Sequence, residues 1–67
     1  AIFMYELEPN VYKVSLRSGD LVNVSKVAGY FGGGGHEKAS GVTMNGTPQD
    51  ILNNLAERIE EQLKGQA

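Results

Sequence analysis

Residues 32–35 are four consecutive glycines, followed directly by the only histidine, His36. In a regular element each glycine costs about 0.5–1 kcal/mol relative to alanine. Such a run ends whatever element precedes it, so the fold must use it as a turn, a close approach or a connector. The rest of the chain has to be read as two halves meeting there.

The N-terminal half carries β character. Ala1 to Leu7 is apolar, Glu8-Pro9-Asn10 has turn chemistry, and Val11 to Ser18 alternates with period two. Tyr12, Val14 and Leu16 share one face and Val11, Lys13, Ser15 and Arg17 the other, so a hairpin is predicted with Arg17 aimed away from the apolar face. Gly19-Asp20 breaks the second strand. Asn23 then caps a short helix to about Phe31, with Val24, Val27, Ala28 and Phe31 on its core side.

Beyond the glycines, Glu37-Lys38-Ala39-Ser40 reads as one helical turn, and Gly41 opens a third strand over Val42 to Met44. Thr47 can cap a second helix, Pro48 suits its first position, and Asp50 sits where a capping-box acid belongs. That helix is predicted to run to Lys64 and stop at Gly65. Ile51, Leu52, Leu55, Ala56, Ile59 and Leu63 fall on its apolar side, while Glu57, Glu60 and Glu61 form a solvated face. The aromatic side chains are mostly assigned to the core, with Tyr30 off the apolar side of its helix and available to stack a base. The fold class expected is α/β, a small mixed sheet of at least three strands with two helices packed on it.

Size and composition bound the function. A chain of 67 residues buries only about 60% of its extended surface, and the gain nearly cancels the ordering cost. A docked partner or a longer parent chain is therefore expected, and a start at Ala1 rather than Met fits that. With no cysteine there is no disulfide framework and no Cys-based zinc site. No membrane-length apolar run and no leader pattern occurs, and a cytoplasmic setting is expected. The net charge of −2 argues against a broad surface for duplex DNA. Residues 9–41, however, hold four basic side chains against two acidic ones, so an anion is better received there than in the acidic last third.

The residues around the glycines admit two readings each. The run can be a connector or helix C-cap, or a bare stretch whose N–H groups form an anion nest. It matches neither a dinucleotide fingerprint nor a P-loop. His36 can pair with a phosphate or hydrogen-bond a backbone carbonyl. Arg17 can hold a phosphate through its planar fork or stand solvated at a strand end. Ser18 can add a hydroxyl contact, and Ser40 can hydrogen-bond a ligand or permit a close turn.

The ordered set Val14-Ser15-Leu16-Arg17-Ser18, Asn23-Val24-Ser25, Phe31-Gly32-Gly33-Gly34-Gly35-His36 and Ala39-Ser40-Gly41 resembles the DHHA1 domain of DHH-family phosphoesterases, over about residues 2–64. The subfamily it looks like is the bifunctional oligoribonuclease and 3′-phosphoadenosine 5′-phosphate phosphatase type. Residues 1–67 would then be a single substrate-binding domain from the C-terminal part of a longer chain. The partner implied is an upstream DHH domain that holds the catalytic Mn²⁺ ions; no cofactor is expected in this segment itself.

The resemblance places Arg17 and Ser18 near the phosphodiester, Gly33, Gly34 and Gly35 at a close approach, and His36 on a substrate phosphate. Ser40 is a mild departure where Ala-Ala-Gly is common. Ligands implied are short RNA, a dinucleotide or 3′-phosphoadenosine 5′-phosphate, with no membrane contact and a homodimer left open. No Asp-His-His occurs, so the segment alone is expected to be inactive. Three alternatives stay open: a general single-stranded nucleic-acid module of an exonuclease, a cyclic-dinucleotide phosphodiesterase domain, and a non-catalytic structural or dimerising module.

Overall fold

The computed structural model describes residues 1–19 and 22–65, so the Asp20 turn lies outside the described residues. The order of elements is β1 (Ile2–Glu8), β2 (Val11–Arg17), α1 (Val24–Tyr30), β3 (Gly34–His36), β4 (Ala39–Asn45) and α2 (Pro48–Gly65). They form one four-stranded sheet in the order β1-β2-β4-β3, with both helices packed against one face. The α/β sheet of at least three strands with two helices is thus what forms. Its three pairings are all antiparallel, where a mixed sheet was expected. No crossover helix connects neighbouring strands in a parallel sense, because β2 and β4 are separated by α1 and β3, and β4 returns between them.

Strand pairing and period two decide which side chains are buried. Tyr12↔Met44, Val14↔Val42 and Leu16↔Ser40 are cross-strand partners and therefore share a face. Val14, Leu16, Val42 and Met44 are buried there with Val24, Val27 and Ala28 of α1 and Ile51 and Leu55 of α2. Ile2 and Met4 of β1 pack at the margin of this core. In α2 only Ile51 and Leu55 are fully buried and Ile59 is half-buried; Leu52, Ala56 and Leu63 lie exposed on the outer flank of the predicted apolar side. The helix is longer than the sheet margin it covers. No helix of the described residues is long and apolar enough to cross a membrane.

Local chemistry sets the helix ends. Asn23 Oδ1 accepts hydrogen bonds from the backbone N–H of Ser25 and Lys26, the N-cap arrangement predicted for α1. Gln62 of α2 grips the same residue, its amide oxygen accepting from Asn23 N and its amide nitrogen donating to Asn23 O, both at 2.9 Å. At α2, Thr47 Oγ1 accepts from Asp50 N at 3.2 Å and Pro48 occupies the first turn, as the sequence indicates.

Candidate functional site

The far face of the sheet, away from the helices, is bare. Three rows of cross-strand neighbours cross it. Arg17 pairs with Ala39 and Ala39 with His36; Phe3 pairs with Ser15, Ser15 with Gly41 and Gly41 with Gly34; Tyr5 pairs with Lys13 and Lys13 with Thr43. Arg17 and His36 therefore project from the same face, flanking the methyl group of Ala39 at two strand spacings, about 10 Å. Both are exposed. A shallow depression of about 270 Å³ opens beside Arg17, walled by Ser15, Arg17, Gly34, Gly35, Ala39, Ser40 and Gly41, with His36 outside its wall.

His36 ends β3 just before the two-residue turn Glu37-Lys38, and that turn is fixed from three sides. Ser18 N donates to Lys38 O at 3.0 Å, and Val24 N donates to Glu37 O at 2.9 Å. Ser40 Oγ donates to His36 O at 2.6 Å. The Glu37–Ser40 segment is thus a turn running into β4 rather than the helical turn expected. β4 starts at Ala39, two residues before the predicted strand opening, because Arg17 of β2 provides Ala39 with a pairing partner.

The glycines divide by task. Gly32 has φ +88, and the bonds Gly33 N to Ala28 O (2.8 Å) and Gly32 N to Gly29 O (3.1 Å) make it the left-handed residue of a Schellman cap on α1. A Cβ on Gly33 would lie 2.3 Å from Gly41 O, so the chain presses there on β4. Gly35 has φ +145 and a Cβ on it would sit 2.8 Å from Ala39 O. Gly34 differs: φ is ordinary and a Cβ would meet nothing within 4 Å. Its partner Gly41 would accept a Cβ at ordinary contact distance. Three of the four glycines are explained by the fold, whereas Gly34 and Gly41, side by side on the bare face, are not. The anticipated anion nest is replaced by an edge strand, since the N–H groups of Gly32 and Gly33 cap α1 and Gly34–His36 pairs with β4.

Among the predicted site residues, the structure brings together Arg17, Gly34 and His36. Ser18 is half-buried and joins them through its backbone bond to the turn. Gly33 and Gly35 lie beside the site with roles in the backbone packing just described. Ser40 is buried on the helix side of the sheet, and its hydroxyl is committed to the His36 carbonyl. It contributes to the wall of the depression while its hydroxyl supports the turn. Tyr30 is exposed, but Arg58 lies 4.4 Å over its ring, so that ring face already holds a cation.

Phe3 and Tyr5, assigned to the core from sequence, are 59% and 61% exposed on the open face. Every position from Ile2 to Tyr5 is apolar, which hides the alternation that would have separated them from Ile2 and Met4. Lys13 also belongs to the site: its Nζ lies 3.7 Å from where a Gly41 Cβ would stand. The three rows contain Lys13, Arg17 and His36 and no carboxylate. The Tyr12 phenol is raised by partial desolvation and by Glu6, whose carboxylate accepts its hydrogen bond at 3.3 Å.

A larger hollow of about 550 Å³ is lined by Ile2, Leu16, Val22, Val24 and Ile59 with Ala1, Arg17 and Ser18 at its border, so the two predicted strand-end residues also edge an apolar cleft. Among the described residues no three His, Cys, Asp or Glu side chains gather as metal ligands. The family model for the DHHA1 domain, a module found in DHH-family phosphoesterases, matches residues 1–65. That span takes in every strand, both helices and the whole of the Arg17–His36 face, and the chain belongs to the DHHA1 domain family.

Proposed function

We propose that this domain is the substrate-binding part of a metal-dependent phosphoesterase that hydrolyses short oligoribonucleotides or 3′-phosphoadenosine 5′-phosphate. The observation that carries the reading is the shared face: Arg17 and His36 flank Ala39, with the open main chain of Gly34 alongside and Gly41 next to it beneath the Lys13 ammonium. Arg17 holds a phosphate by two parallel N–H···O bonds, which fix orientation as well as charge. Gly34 and Gly41 let a sugar or base come within van der Waals distance of the backbone. His36 donates a hydrogen bond to a terminal phosphate, and Ser40 holds the His36 main chain where that contact can be made.

The residues of this chain do not suit a catalytic metal pair, so the Mn²⁺ ions and the activated water are assigned to a DHH domain closing over this face. Here the chain binds and orients. Replacing Arg17 or His36 with alanine removes a charge-assisted hydrogen bond, worth about 1.5–3 kcal/mol, or roughly 10- to 150-fold in affinity. In the enzyme carrying this domain, both variants are expected to lose turnover of dinucleotide and 3′-phosphoadenosine 5′-phosphate while metal occupancy, measured by elemental analysis, stays intact. Unchanged kinetics in both variants would remove the site. The chain by itself, supplied with Mn²⁺, is expected to show no hydrolysis above a protein-free control.

A further inference from the structure

We infer that the open face extends the phosphate site into a stacking platform for single-stranded oligonucleotides, with Phe3 and Tyr5 each receiving one base. This rests on the nucleotide-binding reading and adds a subsite to it. β1 points both rings outward, although neither is needed by the core. They are two residues apart on one strand face, about 6.8 Å along the strand. Between Phe3 and the site the row holds only Ser15, Gly41 and Gly34, and the end of the flexible Lys13 side chain over Gly41 puts its ammonium beside a chain of nucleotides crossing there. Tyr5 neighbours Lys13, and Arg17 is one row beyond Phe3, which places a cation within reach of the phosphate on either side of the stacked bases.

Charge selects the occupant. The whole chain is at −2, yet these rows are purely cationic; the carboxylates of Glu57, Glu60 and Glu61 belong to α2 on the opposite side of the sheet, and Glu8 lies past the bulge at the end of β1. An exposed aromatic pair flanked by lysine and arginine, with no carboxylate in the three rows, matches a polyanion carrying flat bases, and stacking of this kind tolerates any base. A mononucleotide whose phosphate sits over Ala39, between Arg17 and His36, is two strands and one row from Phe3, about 12 Å, so the platform favours substrates of three or four nucleotides over one.

The test uses the 67-residue chain, adenosine 5′-monophosphate and a 5′-phosphorylated tetra-adenylate, with binding followed by amide shifts and folding by circular dichroism. The Phe3→Ala and Tyr5→Ala variants are expected to bind the tetranucleotide about 5- to 150-fold more weakly per ring, with the mononucleotide within twofold of the parent. The Phe3→Leu and Tyr5→Leu variants, which keep the apolar area but not the π-face, are expected to lose the same affinity. Rescue by the paired changes Phe3→Tyr and Tyr5→Phe completes the prediction.

Tetranucleotide binding retained in the alanine variants, with both ligands lost in Arg17→Ala, would overturn the platform and leave the phosphate site standing. Full affinity in the leucine variants would also overturn it, pointing to an apolar surface for a protein. Failure of the parent chain to bind either ligand would remove both the platform and the phosphate site beneath it.

Discussion

The two faces of one sheet are built from alternate residues of the same strands, yet they obey opposite rules. On the helix side, Val14, Leu16, Val42 and Met44 are large, apolar and closed over by Ile51 and Leu55. On the open side, Ser15, Ala39, Gly41 and Gly34 are among the smallest side chains available, and the long ones among them are cations or rings. The first face is determined by volume, the second by what is left out. In a domain this small, a single β strand therefore carries a stability code on one face and, on the proposed reading, a recognition code in the alternate letters.

Substitutions can break that division at graded cost. The largest effect is expected from Leu55→Ala, which leaves a cavity in the covered face and destabilises by about 2–5 kcal/mol. Chemical denaturation should show this, with tetranucleotide affinity unchanged in whatever fraction remains folded. Next comes Gly33→Ala, whose Cβ would have to displace the β4 backbone at Gly41. A loss of about 1–3 kcal/mol is expected from such overpacking, read as a lowered Tm. Smallest is Gly34→Ala: stability should stay within about 0.5 kcal/mol, because the new methyl group meets nothing. Nucleotide affinity should nevertheless fall as the methyl occupies the floor of the depression. An equal loss of Tm at Gly33 and Gly34 would dissolve the distinction between structural and recognition glycines.

Much of this was legible in the sequence wherever the cause is local. The α1 cap at Asn23 and the α2 start at Thr47-Pro48 depend on residues within one turn of each other, and both stand as read. The alternation in β2 put Arg17 opposite Leu16 for the same reason. What was not legible arises from distant pairing. Gly34–His36 has no strand propensity of its own and becomes β3 only because β4 lies beside it and a Schellman cap turns the chain toward it. Without that strand the Glu37–Ser40 turn has no partner, which is why a helical turn was read there. Ser40 admits either a ligand contact or a close turn from its sequence position, and its register opposite Leu16 with its bond to His36 O commits the hydroxyl to the turn.

The grip of Gln62 on Asn23 ties the tail of the long helix to the hairpin that carries His36. Asn23 precedes Val24, whose N–H holds Glu37 O, and Glu37 follows His36. Trimming α2 just ahead of Gln62 would spare every residue of the open face, yet it would release the latch at the base of the histidine turn. Damage to this far end would then surface as blurred recognition before it surfaced as unfolding.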